Sequence, residues 1–203
     1  MRNKLPLSFY QDEDVLAVGK KLLGKKLCTM IDGLEVSAMI TETESYKGPE
    51  DMASHAFGMR RTKRNEAMYM QGATSYVYLC YGMHALFNVV TAKENIPHAV
   101  LIRGILPIEG IEIMSRRMGK SVAKEKQIIG PARVTKAMGI GLSLNTCSLL
   151  SDTIWLEDIG ISPSDEHIEK LERVGIEYAK EHALLPWRFR LNYSFVANIM
   201  PQI

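Results

Sequence analysis

One stretch of this chain alternates apolar and polar residues so regularly that it predicts a β-strand. Every second residue between positions 34 and 44 belongs to one set: Leu34, Val36, Ala38, Ile40, Glu42 and Glu44. Alternate side chains of a strand point to the same face of a sheet. The pattern therefore predicts a strand whose buried face ends in two carboxylates. Asp32-Gly33, just before it, predicts a tight hairpin with a strand over 26–31.

The remaining elements follow from similar local signals. Further strands are predicted over residues 74–81, 84–91, 98–105, 154–157 and 187–191. Helices are predicted over residues 11–23, 108–118 and 131–139. Strands dominate the first half of the chain, and the βαβ alternation of a parallel sheet is missing. With no repeat or linker in view, we predict one α+β domain over residues 1–203, built on an antiparallel sheet with a long ordered loop over 46–73.

Composition narrows the class of protein only modestly. The 203 residues are 46% hydrophobic, which is enough for a sizeable core, and the net charge of +2 is too small to indicate nucleic acid by itself. Basic residues nevertheless cluster, either as phosphate contacts or as solvated faces, at Arg60, Arg61, Lys63, Arg64 and across 116–126. The three cysteines lack metal-ligand spacing, and no apolar run is long enough for a signal peptide or a membrane span. We expect free thiols, no metal or cofactor, and no membrane association.

The two carboxylates at the strand end are candidates for chemistry. Two residues along a strand span roughly 6.5–7 Å, so Glu42 and Glu44 could both border one pocket. Removal from water would raise the pKa of such a carboxyl and suit it to general-base catalysis. The alternative is that the strand leaves the core here and both acids pair with arginines.

Aromatic residues near these acids predict a flat slot. Tyr46 follows Glu44 by two positions, His55 lies in the loop, and Tyr76 and Tyr78 share one face of the strand predicted over 74–81. Such walls would stack on a flat ligand, above all an electron-poor or cationic ring. The two strand tyrosines could equally have only a structural role in packing the sheet, and His55 could be a loop residue that is hydrogen-bonded to the backbone.

Tyr81 lies at a probable hairpin tip beside Gly82, where a large aromatic residue is poorly placed for a core. A protruding tyrosine of this kind is typical of wedges that enter the minor groove and unstack a base step, although it could also fold back onto its own sheet. The chain has no HxE…CxxC, GxxxxGK[ST] or GxSxG pattern. These absences disfavour zinc deamination, a phosphate-cradling loop and a nucleophile elbow.

Three long blocks resemble the alkyladenine (3-methyladenine) DNA glycosylases of the mammalian type. They are ETESYKGPEDMASHAFGMRRTKRN (42–65), MYMQGATSYVYLCYGMHALFNVV (68–90) and AVLIRGILPIEGIEIM (99–114). Weaker similarity continues in GPARVTKAMGI (130–140) and PWRFRL (186–191). The resemblance implies a curved antiparallel sheet flanked by helices, with a protruding β-hairpin.

The resemblance also implies a reaction: a damaged purine is flipped out of duplex DNA, and its N-glycosidic bond is hydrolysed. Glu44 would activate water with Arg103 beside it, and Asn88 would exclude the guanine amino group. The flipped base would lie between Tyr46, His55 and Tyr78. Contacts to the duplex would come from Tyr81 in the vacated stack, Met83 on the neighbouring base step, and Arg60, Thr62 and Arg64 along the backbone.

The resemblance implies a monomer that acts on 3-methyladenine, 7-methylguanine, hypoxanthine or ethenoadenine. We expect a bacterial, cytoplasmic protein that is associated with the nucleoid through DNA. No lysine is among the pocket residues, so strand-nicking lyase chemistry is not expected. His84 and Ala132 depart from the family pattern, which puts DNA affinity or substrate range in doubt. Two other functions stay open at this stage: a glycoside hydrolase that uses Glu42 and Glu44 as its acid pair, and a non-catalytic nucleic-acid-binding module.

Overall fold

The computed structural model describes residues 2–202 and contains nine strands in one sheet. The strands are β1 (Lys26–Ile31), β2 (Leu34–Lys47), β3 (Ser75–Cys80), β4 (His84–Thr91), β5 (His98–Glu109), β6 (Ile128–Ile129), β7 (Ile154–Glu157), β8 (Ile168–Leu171) and β9 (Arg188–Leu191). All strand pairs are antiparallel, and six strands follow the order β3-β4-β5-β2-β1-β7. The predicted α+β class with an antiparallel sheet is therefore confirmed.

The long strand β2 is the centre of the sheet and the place where the sheet branches. One of its edges pairs with β5 along most of its length. The other edge pairs first with β1, over 34–39, and then with β9, over 42–44. The two acids predicted at the end of the alternating stripe therefore lie where three strands meet, and β2 continues through Tyr46 instead of ending before it.

The alternation of β2 is less regular than the sequence predicts. Its register with β5 shifts between Ile40 and Thr43, where Glu42 pairs with Gly104 and Thr43 pairs with Ile102. Arg103 is consequently left without a register partner at the irregularity. Bulges of this kind re-aim side chains next to functional sites, and here the redirected side chain is an arginine between the two acids.

Helices pack against the sheet. They are α1 (Leu7–Tyr10), α2 (Val15–Lys21), α3 (Ile111–Met118), α4 (Pro131–Met138) and α5 (Tyr193–Ile199), with six short 3₁₀ segments elsewhere. Helix α2 lies on β2, because the Thr43 hydroxyl donates to the Gly19 carbonyl at 2.9 Å and the Ser45 hydroxyl donates to the Val15 carbonyl at 3.0 Å. Thr43 and Ser45 thus face the helix.

Two predicted helices begin later than the sequence suggests. The helix predicted over 11–23 begins at Val15, because the Asp14 carboxylate accepts from the amides of Leu16 and Ala17 and caps the helix there. The helix predicted over 108–118 begins at Ile111. Strand β5 continues through Pro107 to Glu109, and Gly110, with a left-handed φ of 72°, makes the turn.

The hairpin between β3 and β4 projects from the sheet. At its tip Tyr81 and Gly82 both have positive φ, and the side chain of Tyr81 is 91% exposed. Met83 beside it is 72% exposed. The predicted hairpin therefore exists, and Tyr81 does not fold back onto its sheet. Within residues 2–202, no helix combines the length and the apolar character needed to cross a membrane.

Candidate active site

A cavity of about 520 Å³ opens beside β2, β3, β4 and β5. Its walls combine aromatic, apolar and a few polar groups: Tyr46, Ala53, His55, Arg64, Met68, Tyr76, Tyr78, Cys80, Tyr81, His84, Leu86, Asn88, Ala99, Leu101, Arg103, Pro131, Ala132, Val174, Gly175, Ile176 and Tyr178. A volume of this size, with mostly apolar walls and few polar groups, is typical of a small-molecule pocket. The structure therefore brings Tyr46, His55, Tyr76 and Tyr78 together around one cavity.

Glu44 lies directly behind this wall. Its side chain is fully buried, and each carboxylate oxygen has its own donor. The Tyr46 hydroxyl donates to Oε2 at 2.9 Å, and the Val174 amide donates to Oε1 at 2.8 Å. Tyr46, Val174 and Arg103 all line the cavity and all contact Glu44. The carboxyl is thus connected to the cavity through three residues.

Arg103 lies close to Glu44 without locking it. Arg103 Nη1 is 3.5 Å from Glu44 Oε2, and its Nε is 3.4 Å from Oε1. Charge-assisted N–H···O bonds are usually about 2.7–2.9 Å long, so this pair is loose. A carboxylate oxygen has two lone pairs. Oε2 accepts from the Tyr46 hydroxyl and from Arg103 Nη1, whereas Oε1 accepts from the Val174 amide and can take a further hydrogen bond.

Burial and charge act on Glu44 in opposite directions. Burial raises the pKa of Glu44 above its ordinary value, while Arg103, the Val174 amide and the Tyr46 hydroxyl lower it. Burial and the adjacent Glu44 raise the pKa of Tyr46 well above its ordinary value, so its phenol stays protonated and donates. A carboxyl with a raised pKa and donors on both oxygens is suited to take a proton from water.

Glu42 has a different role from Glu44. Its Oε1 accepts from Arg188 Nη1 at 2.8 Å and lies 3.6 Å from Arg103 Nε. Glu42, like Glu44, is not among the residues that line the cavity. For Glu42 the structure matches the alternative in which the acid pairs with arginines. The two carboxylates therefore do not form the pair of acids that a glycoside hydrolase would need across one pocket.

The aromatic wall is held together by contacts among its own members. The Tyr76 and Tyr78 rings stack with centroids 5.2 Å apart, and His55 meets Tyr78 edge-on at 4.7 Å. A 2.7 Å hydrogen bond joins His55 Nδ1 to the Tyr76 hydroxyl. Burial, reinforced by Arg64 and Arg60, lowers the pKa of His55 to about 4. The imidazole is therefore neutral at physiological pH and does not repel a cationic ligand.

Asn88 lines the same cavity. It is on β4, opposite Tyr76 of β3, and its side-chain nitrogen donates to the Tyr76 carbonyl at 3.1 Å. That bond holds the amide in one orientation while the residue lines the cavity. A fixed amide at this position can favour or reject ring substituents by hydrogen bonding and by contact.

Of the residues predicted to contact DNA, Arg64 and Tyr81 line the cavity, and Met83, Arg60 and Thr62 do not. Arg64 Nη2 donates to the Leu79 carbonyl at 3.0 Å, and its guanidinium carbon lies 5.5 Å from the Tyr78 ring centroid. Arg64 therefore joins the loop after His55 to the exposed hairpin that carries Tyr81 and Met83. Arg60 and Thr62 are exposed on the same loop, where Asn65 binds the Arg60 carbonyl and the Thr62 hydroxyl.

Several cavity residues could not be found from the sequence. Val174, Gly175 and Ile176 belong to an irregular segment about 130 residues after Glu44, and Tyr178 follows in a 3₁₀ helix, yet all four residues line the cavity. Their segment has no periodic pattern or motif. The position of Arg188 was partly indicated by the sequence, since it lies in the PWRFRL block and in the short strand predicted over 187–191.

The described residues contain no group of three or more His, Cys, Asp or Glu side chains arranged to hold a metal ion. Across residues 2–202, the free cysteines are Cys28, Cys80 and Cys147, and Cys80 lies in the cavity wall.

Comparison with known proteins shows the family of this chain. The family model described as methylpurine-DNA glycosylase (MPG) matches residues 8–194. A protein of Chlamydia felis (strain Fe/C-56), named "Putative 3-methyladenine DNA glycosylase", is 48% identical over 93% of this chain and 96% of its own length. A protein of Bacillus cereus (strain G9842) with the same name is 44% identical over 91% of this chain and 93% of its own length. This chain therefore belongs to the methylpurine-DNA glycosylase family and is a DNA glycosylase.

Proposed function

We propose that this protein excises alkylated or deaminated purines from duplex DNA by hydrolysis of the N-glycosidic bond, with water activated by Glu44. The substrates in this proposal are 3-methyladenine, 7-methylguanine, hypoxanthine and ethenoadenine. The observation that carries the proposal is the buried carboxylate of Glu44, held by the Tyr46 hydroxyl and the Val174 amide, which belong to two residues that line an aromatic cavity.

The first step is recognition of the extruded base. An N3- or N7-alkylated purine carries positive charge, and stacking on Tyr46 and Tyr78 favours such a ring by about 0.5–2 kcal/mol for each contact. The neutral His55 adds a third aromatic surface without adding a positive charge. Because the same charge weakens the glycosidic bond, the slot selects bases that are already good leaving groups.

The second step is attack by water on C1′ of the sugar. Glu44 accepts a proton from the water, the new C1′–O bond forms, and the electron pair of the broken C1′–N9 bond leaves with the base. As that bond breaks, C1′ gains oxocarbenium character, which a nearby carboxylate stabilises. Arg103, at 3.4 Å from Glu44 Oε1, keeps the carboxyl ionised and contributes to holding the water.

Asn88 is proposed to exclude normal guanine. Its amide is anchored to the Tyr76 carbonyl, so it cannot move freely away from the 2-amino group of a guanine that enters the cavity. A buried polar group that is left unpaired costs about 1–3 kcal/mol, which is enough to bias selection between adenine-like and guanine-like bases.

The DNA surface in this proposal is the exposed hairpin tip and the loop over 60–64. Tyr81 fills the space that the flipped nucleotide leaves, and Met83 presses on the adjacent base step. Arg60, Thr62 and Arg64 hold the backbone. Residues 1–203 are proposed to work as one glycosylase domain and as a monomer, in the cytoplasm of a bacterium and on its nucleoid DNA; the relatives from Chlamydia and Bacillus support the bacterial assignment.

Lysine is absent from the described residues that line the cavity, so the cavity has no side-chain amine that could form a Schiff base at C1′. The proposed enzyme is therefore monofunctional. It needs no cofactor, because the alkylated base leaves readily and water is the only co-reactant.

The test is a panel of duplexes that contain 3-methyladenine, hypoxanthine or ethenoadenine at one position. After incubation with the protein, hot alkali cleaves the strand at any abasic site. Cleavage at the lesion, and cleavage only after alkali, is the expected result. Intact strands for all three lesions would refute excision, and nicking before alkali would refute the monofunctional mechanism.

A further inference from the structure

A buried ion pair lies next to the candidate active site. The side chains of Arg173 and Asp51 are both fully buried. The Arg173 guanidinium donates hydrogen bonds to the Asp51 carboxylate from Nη1 and from Nη2, the latter at 2.9 Å. The two nitrogens also donate to the carbonyls of Ser45 and His182, at 2.9 Å and 3.1 Å. The pair thus joins β2 to two loops that are distant in sequence.

Arg173 contacts both groups that hold the Glu44 carboxylate. Its guanidinium carbon lies 4.8 Å from the centroid of the Tyr46 ring, and the Tyr46 hydroxyl binds Glu44 Oε2. The next residue, Val174, supplies the amide that binds Oε1. The guanidinium also lies 5.0 Å from the Trp187 ring centroid. Displacement of Arg173 would therefore disturb both hydrogen bonds at once.

The geometry points to Arg173, buried against Asp51, as a positioning residue that holds Tyr46 and the Val174 amide against the two oxygens of Glu44. This inference rests on the proposed function of Glu44 as the base that activates water. The Arg173 side chain is fully buried, and its guanidinium is engaged by the Asp51 carboxylate and by the carbonyls of Ser45 and His182, so it is not free to bind the DNA or the base. Its effect reaches the reaction only through Glu44.

The chemistry favours arginine over lysine at this position. A planar guanidinium can bind a carboxylate through two nitrogens, donate to two carbonyls and stack on an aromatic ring at the same time. The ammonium group of lysine keeps the positive charge that pairs with Asp51. It cannot bind the carboxylate through two nitrogens, and it cannot stack on the aromatic ring. Arg173→Lys therefore loosens the geometry without leaving a buried carboxylate unpaired, which would cost several kcal/mol.

The experiment measures the titration of Glu44 directly. Protein labelled with ¹³C at the glutamate side-chain carboxyl carbon is titrated by NMR, and the Glu44 signal is assigned by its loss in Glu44→Gln. The variants are Arg173→Lys and the double variant Arg173→Gln/Asp51→Asn, which removes both buried charges together. The matched control is Lys26→Gln/Glu157→Gln, which removes a 2.7 Å ion pair between β1 and β7.

We expect the titration midpoint of Glu44 to move to higher pH in both Arg173 variants, because the two donors that favour the ionised form are loosened. The control variant should leave the midpoint unchanged. Single-turnover excision of hypoxanthine at neutral pH should fall roughly 10- to 100-fold in the Arg173 variants, since small misplacements of a catalytic group have effects of this size. Affinity for the lesion duplex should stay within about twofold of wild type.

The two possible failures are distinguishable. A Glu44 titration that matches wild type in both Arg173 variants, with their folding verified by near-ultraviolet circular dichroism, would overturn the positioning role alone. Retention of excision by Glu44→Gln would instead overturn the proposed function, while the NMR titration would still report whether Arg173 holds the carboxylate.

Discussion

The hydrogen bond from Tyr46 to Glu44 makes a quantitative prediction about the pH dependence of excision. Tyr46→Phe keeps the aromatic ring in the cavity wall but removes the hydroxyl that donates to Oε2 at 2.9 Å. A hydrogen bond to a charged group contributes about 1.5–3 kcal/mol. Since one pKa unit corresponds to about 1.4 kcal/mol, loss of this bond should raise the pKa of Glu44 by roughly one to two units.

The sign of the effect follows from the ionisation that catalysis needs. Glu44 must be ionised to accept a proton, so excision falls as the pH decreases through its pKa. Burial already raises that pKa above the ordinary value, and the Tyr46 hydroxyl is one of the groups that lower it. In Tyr46→Phe the acid limb of the rate profile should therefore lie at a pH higher than that of wild type by the same one to two units.

The assay is single-turnover excision of hypoxanthine over a pH series, with protein in excess over the duplex. Hypoxanthine is suitable because it lacks the fixed positive charge that makes alkylated bases leave without help. Tyr78→Phe is the matched control, because it removes a hydroxyl from the same aromatic wall and leaves the bond between Tyr46 and Glu44 intact. An acid limb of Tyr46→Phe that coincides with that of the control would refute the reasoning.

Three further predictions concern Tyr81, His55 and Asn88. Tyr81→Ser should weaken base flipping by about 1–3 kcal/mol, measured by the fluorescence of ethenoadenine in duplex DNA, and an unchanged flipping equilibrium would exclude Tyr81 as the wedge. Because the pKa of His55 falls from 6.5 in the unfolded chain to about 4 in the folded protein, the unfolding free energy should decrease by up to about 3 kcal/mol as the pH falls from 6.5 to 4. Urea titrations should show a smaller decrease in His55→Gln; an equal decrease would contradict the neutral assignment. Asn88→Ala should increase the excision of guanine relative to hypoxanthine at least several-fold, and an unchanged ratio in a competition assay would exclude a gating role.

Local signals predicted the sheet well. Asp32-Gly33 adopts the positive φ values of 54° and 72° that a tight hairpin needs, and it joins β1 to β2 as the sequence indicates. The local sequence also predicts the exposed hairpin tip at Tyr81, because a large aromatic residue beside a glycine at a turn between two strands is poorly placed for burial in a core. The strand over 154–157 matches the predicted bounds.

The sequence could not predict how distant segments complete the site. The donors to Glu44 include the amide of Val174, which lies in an irregular segment and is brought near by a buried pair between Arg173 and Asp51. A periodic pattern in the sequence cannot predict such a contact, because the contact depends on two loops that fold over the end of β2. The register shift that leaves Arg103 without a partner is equally invisible, since it is a property of the pairing between β2 and β5, two strands that are far apart in the sequence.

The most direct measurement is the single-turnover rate of hypoxanthine excision by Glu44→Gln, together with the affinity of this variant for the lesion duplex. Glutamine keeps the size of the side chain and can still accept hydrogen bonds, but it cannot take a proton from water. We expect the rate to fall by about 10²–10⁴-fold with little change in affinity. Excision at a rate within about tenfold of wild type would contradict a role for Glu44 as the base.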